Sequence, residues 1–161
     1  MHKLSLYNNM KKKDWGYAVW TLFHTLASKM KPEYSSSESA VLYSHIVAIC
    51  QNLPCPDCQE HASKIFAMVN VKQVTASKEV LNQFLYTFHN IVNKSTGVPD
   101  FPKEGLAIYN RANTQRVVAH FIRIMSSNMN NEKLMMDSFR RQKYMTAFIN
   151  YIKTNGYKYN A

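Results

Sequence analysis

Residues 35–58 read SSSESAVLYSHIVAICQNLPCPDC. Leu42, Ile46, Ile49 and Leu53 recur at helical spacing, so the stretch before the proline predicts a helix. Val41, Tyr43, Val47 and Cys50 fill most of its remaining circumference, and a helix that is apolar nearly all round belongs at the centre of a core. Ser35 and Glu38 have the spacing of a capping box, in which each side chain satisfies a free amide at the helix start. Pro54 ends this helix. Pro56 suits the first position of a new one, expected to run to about Asn70. Cys55 and Cys58 therefore fall at a helix start.

The same periodicity extends outward in both directions. Upstream, a helix over 14–30 carries Trp20, Phe23, His24 and Ala27 on one stripe, and Lys31 to Ser37 form a loop. Downstream, Ser77 caps a helix whose apolar stripe is Leu81, Phe84, Leu85, Phe88 and Val92. Gly97 to Pro102 form a turn region. A short helix is expected over 103–110. Two more follow, at about 114–127 with Val117, Phe121 and Ile124, and at 131–154 with Tyr144, Phe148, Tyr151 and Ile152. No segment alternates with period two and no internal repeat is present. The expected class is all-α, a bundle of four or five helices with a basic helical extension.

A length of 161 residues fits one domain with a core of its own. Only 4 Gly and 5 Pro argue against a disordered chain or a turn-rich β-sandwich. Three cysteines are too few for a disulfide scaffold and cannot close a four-cysteine zinc site. The N-terminal residues lack the apolar core of a signal peptide, and no apolar run is long enough to span a membrane. The net charge of +10 is uneven: residues 1–110 hold 11 basic and 8 acidic side chains, residues 111–161 hold 9 and 2. The basic character thus lies mainly in the last third, either as a solvated helix face or as a surface for an acidic partner or nucleic acid.

Three groups of residues carry candidate chemistry. In Cys55-Pro56-Asp57-Cys58, both sulfurs would sit at the positive end of a helix dipole, where free amides stabilise a thiolate. The pair suits a redox dithiol; half of a zinc site with His61, or a purely structural bridge, are the other readings. His89 and Asn93, four apart on one helix, face the same way and would suit a heteroaromatic ligand that needs oriented hydrogen bonds. Taken alone, ordinary satisfied core or surface polar groups are the stronger reading. Trp20 and His24 repeat the aromatic–histidine arrangement, which core packing also explains. Cys50, on the apolar helix, reads as a buried free thiol.

Taken together, these blocks resemble the Erv/ALR sulfhydryl oxidases. The similarity lies in GYAVWTLFHTLA at 16–27, CPDC at 55–58 and LNQFLYTFHNIVNK at 81–94, with Gly97 and Pro99-Asp100-Phe101 resembling the turn that follows. It covers about residues 14–110; residues 111–161 resemble nothing familiar. The resemblance implies a four-helix bundle with a short fifth helix that holds FAD. Gly16, Tyr17, Trp20 and His24 would contact FAD from the first helix, and Phe84, His89, Asn90, Val92, Asn93 and Lys94 from the fourth. Cys58 would face the flavin and Cys55 the substrate. Phe84 stands where relatives often carry Trp, Val98 where they carry Lys, and Lys29 where they carry Tyr.

The resemblance further implies a thiol oxidase that forms disulfides in a dithiol protein and reduces molecular oxygen to hydrogen peroxide. The shuttle cysteine pair of many relatives is missing, so the expected substrate is a separate thioredoxin-like protein that reaches Cys55 directly. The expected organisation is an oxidase bundle over 1–110 and a basic extension over 111–161, packed on the bundle or at the interface of a homodimer. Membrane and nucleic acid are not expected partners. The expected compartment is the host cytoplasm or virion of a large DNA virus, or otherwise the mitochondrial intermembrane space. The alternative is a non-catalytic basic binding module with a vestigial flavin site.

Overall fold

The computed structural model describes residues 2–127 and 135–161. Eight α-helices and no β-strand occur among the described residues. The helices are α1 (His2–Lys29), α2 (Ser35–Gln51), α3 (Pro56–Ala67), α4 (Val71–Val74), α5 (Lys78–Thr96), α6 (Ala107–Arg111), α7 (Thr114–Ser127) and α8 (Met135–Asn155). No helix among the described residues is long and apolar enough to cross a membrane.

Local chemistry sets most of the helix ends. Ser77 caps α5, its Oγ accepting from the Val80 amide at 3.2 Å. Gly97 closes the same helix at φ 73°, a left-handed conformation that glycine adopts without steric cost. The capping box at Ser35 does not form. A 3-10 turn, Pro32–Tyr34, runs straight into α2, and Ser35 is already helical with its amide bonded to the Pro32 carbonyl. Its hydroxyl is thereby free to accept the Lys78 amide at the start of α5. Glu38 turns into the protein instead.

Other boundaries also shift. α1 begins well before residue 14. α3 stops at Ala67, and Asn70 caps the single turn of α4, accepting from Gln73 N. The helix expected over 103–110 divides into a 3-10 turn, Lys103–Leu106, and α6. The last expected helix is described from Met135; its residues 131–134 lie outside the described residues.

α2 is buried through Leu42, Ile46 and Ile49, and α5 packs Leu81, Leu85 and Phe88 against it and α1. The basic tail closes on the same core. α7 packs along α1, and α8 against α2 and α7. Phe121 and Phe148 are fully buried and meet edge to face at 5.2 Å. The chain end returns to α1: Asn160 N donates to the Lys29 carbonyl at 2.7 Å, and Lys31 N to the Lys158 carbonyl at 2.9 Å.

Glu38, His45 and Asn52 lie seven residues apart along α2 and its end, and each is gripped from α8. Glu38 is buried and accepts from the Tyr151 hydroxyl, with Lys158 at 2.9 Å. The His45 ring bonds the Tyr144 hydroxyl at 3.1 Å. The Asn52 carbonyl accepts from Arg141 Nε at 2.7 Å.

Because the tail shares one core with the bundle, its loss should be felt in α1. Phe148→Ala should cost about 3–5 kcal/mol by cavity formation. Both tryptophans, Trp15 and Trp20, lie on α1, so their fluorescence reports that helix alone. In urea unfolding, the tryptophan and circular-dichroism transitions of the variant should shift together. A tryptophan transition that stays at the wild-type midpoint would show that the tail folds separately.

Candidate active site

Cys55 occupies the N-cap of α3 in extended conformation, φ −159° and ψ 100°, and Pro56 follows as the first helical residue. Its Sγ accepts from the Cys58 amide at 3.2 Å, as an N-cap side chain does. Cys55 and Cys58 are joined in a disulfide at the positive end of the α3 dipole. The loop before them is held by side chains: Gln59 Nε2 donates to the Leu53 carbonyl at 2.6 Å, and Arg141 to that of Asn52.

Beside the disulfide lies a cavity of about 660 Å³, well within the range of ligand sites. Trp15, Trp20, Phe23, Leu53, Phe88 and Val92 make its walls largely apolar. Of the residues singled out in the sequence, Gly16, Trp20, Cys58, Val92 and Asn93 line it. Lys12, Lys13, Asp57, His61, Ser95 and Thr96 supply polar and charged lining. Cys50 is a free thiol, buried in the core, and also reaches the cavity wall; burial pushes its pKa up.

His24 and His89 form a second layer. His24 Nε2 and His89 Nδ1 share a hydrogen bond of 2.9 Å. Trp20 lies flat on His89, with centroids 4.0 Å apart and planes 6° apart. Phe101 stacks on His89 at 5.2 Å, and Tyr109 on His24 at 4.8 Å. The result is a set of nearly parallel rings joined to the cavity through Trp20. Burial and the neighbouring His89 hold His24 down to about 3, and burial holds His89 down to about 4, so both are neutral at pH 7 and one can donate to the other. His24 Nδ1 is buried and has no hydrogen-bond partner among the described residues.

The other sequence-chosen residues take different places. Asn90 spends its side-chain amide on the following turn: Oδ1 accepts from Phe101 N at 2.7 Å and Nδ2 donates to the Phe101 carbonyl at 3.2 Å. That clamp brings Phe101 onto the histidines. Gly105 lets the ring fit, since a Cβ there would lie 2.8 Å from it. Phe84 packs in the core against Tyr43, Phe66 and Phe88. Tyr17 and Lys94 are exposed. None of these lines the cavity. Among the described residues, no group of three or more His, Cys, Asp or Glu is placed to hold a metal ion.

Sequence reading missed Trp15, Phe23 and Phe88 as walls, because on a helix an apolar residue facing a cavity looks the same as one facing the core. Tyr109 gave no signal, since its place against His24 depends on how α6 folds back. Phe101 was visible only as part of a turn.

This arrangement suits a flat heteroaromatic ligand: apolar walls backed by parallel rings, cations at hand and a disulfide sulfur in the wall. The comparisons point the same way. A protein of Invertebrate iridescent virus 3 named as a FAD-linked sulfhydryl oxidase is 32% identical over 87 residues, 54% of this chain and 59% of its own. The FAD-linked sulfhydryl oxidase ERV1 of Oryza sativa is 30% identical over 93 residues, 58% of this chain and 47% of its own. Its namesake in Arabidopsis thaliana is 32% identical over 93 residues, 58% of this chain and 48% of its own. The chain thus spans about half the length of these curated relatives. No solved structure matches it significantly. The profile of the Erv1/Alr family matches residues 17–113, more than half of the sequence, including both cysteines of the pair and most of the cavity lining, and the chain belongs to that family.

Proposed function

We propose that this chain is a FAD-linked thiol oxidase that forms disulfides in a dithiol protein, thioredoxin-like in character, with molecular oxygen as final acceptor. The observation that supports it most is a disulfide at a helix N-terminus with one of its sulfurs, Cys58, in the wall of an aromatic cavity. A bound FAD would supply a two-electron acceptor next to that sulfur and pass the electrons to oxygen.

The residues present fit such a group. Trp20, Phe88 and Val92 would hold the flat ring. Asn93 would orient it by hydrogen bonding, and Lys12 and Lys13 would offset the charge of its diphosphate. His24 and His89 do not line the cavity and would act on the ring only through Trp20, which lies flat on His89.

The chain's own chemistry is thiol exchange. A substrate thiolate attacks Cys55 Sγ, the Cys55–Cys58 bond breaks, and Cys58 leaves as a thiolate. The N-terminus of α3 stabilises that negative charge. The second substrate thiol then attacks the mixed disulfide and releases the substrate in its oxidised form. Cys55 and Cys58 are left carrying the two electrons, and Cys58 is the sulfur placed to deliver them into the cavity.

The full-length protein should purify yellow and take up oxygen with dithiothreitol. Colourless, folded protein that cannot be reconstituted with FAD would sink this reading. Cys55→Ala and Cys58→Ala should both abolish turnover, and only Cys55→Ala should show a long-wavelength charge-transfer band, from the Cys58 thiolate. The band in the other variant would reverse the two roles. Cys50→Ser should retain dithiothreitol oxidase activity.

The histidine pair makes stability depend on pH. An unfolded histidine takes a proton near 6.5, whereas these two take theirs only near 4 and near 3. The unfolded chain therefore binds more protons in that window. Stability that is complete above pH 6.5 should fall as the pH drops toward 4. The loss should reach up to about 1.4 kcal/mol per pH unit from His24, and less from the more exposed His89. Urea midpoints at pH 7.5 and 5 would measure it. His24→Gln should flatten part of the slope; an unchanged slope would refute a buried neutral pair.

A further inference from the structure

We propose that Arg141, in the tail outside the family match, is a positioning residue for the Cys55–Cys58 disulfide. This rests on the reading of that disulfide as the working one. Arg141 is 2% exposed and is among the largest fully buried side chains of the protein. Burying a guanidinium is costly unless it is hydrogen-bonded. One of its bonds is unambiguous: Nε donates to the Asn52 carbonyl at 2.7 Å.

Asn52 is the C-cap of α2, three residues before Cys55. The last turn of α2 contains no basic residue of its own. Its terminal carbonyls carry the negative end of the helix dipole, and a cation there is favourable. Arg141 supplies that cation from α8, across a separation of 89 residues. Only Leu53 and Pro54 separate Asn52 from the redox pair. Gln59 holds the Leu53 carbonyl from the other side. The loop is thus fixed at two successive carbonyls, one by the tail and one by α3.

The consequence is chemical as well as mechanical. Cys55 must keep its extended N-cap conformation for its sulfur to meet that of Cys58. The N-cap position and Pro56 favour that conformation whether the pair is open or closed. Opening the ring removes the bond that ties the loop to α3, and the two sulfurs then stay within reach only as far as other contacts hold the loop. A contact that holds the loop therefore favours the disulfide over the dithiol. Loosening the loop should make the pair easier to reduce.

The test is the equilibrium of the full-length protein with glutathione under nitrogen, oxygen being excluded so that nothing drains electrons from the pair: disulfide plus two glutathione thiols gives dithiol plus glutathione disulfide. Thiol trapping followed by a gel or mass shift reads it without reference to flavin, so failure of the FAD reading would leave this result standing. Arg141→Met should move the equilibrium about tenfold toward dithiol, the scale of one charged hydrogen bond, which is about 30 mV for a two-electron couple. Arg141→Lys keeps the charge and a donor and should lie between it and the wild type. Tyr151→Phe removes a contact between the same two helices at the far end of α2 and should leave the equilibrium unmoved. If Arg141→Met does not fold, Arg141→Gln takes its place under the same criterion. A wild-type equilibrium in the Arg141 variants would overturn the proposal. So would an equal shift in Tyr151→Phe, which would show a general effect of helix packing.

Discussion

The contact between α2 and α8 is the constraint on which the rest of the structure depends. The sequence predicts α2 to be buried nearly all round, but it keeps one solvent face, with Ser36, Ser37, Ala40, Val41, Ser44 and Gln51 exposed. It buries Leu42, Tyr43, Ile46, Ile49 and Cys50 on the other. Exposing that buried side of α2 would be costly. Its few polar groups that point toward α8 are spaced by seven residues, two helical turns, so they share one face. Tyr151, Tyr144 and Arg141 meet them in turn. Glu38, which Lys158 also pairs, is buried, and His45 and Asn52 are half-buried; leaving a buried partner unmet costs more than a made bond gains. The register of the two helices is thereby specific, where an all-apolar contact would leave it free to slide.

From α2 the constraint passes to the redox loop. The end of α2, the two residues after it and the N-cap of α3 form one short, tightly bonded stretch. A disulfide placed there sits against a helix N-terminus on one side and an aromatic cavity on the other. Low polarity in the cavity strengthens every charge interaction within it. Neutral histidines serve the same end, because an imidazolium among Trp20, Phe101 and Tyr109 would need a counter-charge the stack does not offer.

Much of this was legible in the residues. The helical class, the cap at Ser77 and the placing of Cys55 and Pro56 at a helix start follow from local rules that operate over three or four positions. The Ser35–Glu38 capping box failed because the preceding turn had already satisfied the amide in question. Local rules assume an uncommitted helix start. Glu38 was then recruited by Tyr151 and Lys158, from more than a hundred residues away, and no local window contains that information. Asn90 is a similar case: its motif was visible, but its service to Phe101 depends on a turn that folds back.

The sequence by itself determined which segments are helical, where the two cysteines sit and which aromatic and histidine residues accompany them, because helix periodicity and capping act through neighbours in the chain. Only the tertiary structure decided which faces meet. It turned Trp15, Phe23 and Phe88 from core candidates into cavity walls, set His24 against His89 and buried Arg141 behind the redox loop. Those outcomes depend on close packing between segments far apart in the chain, where a residue's role is set by the partner that arrives and its own type states only what kinds of partner it can accept.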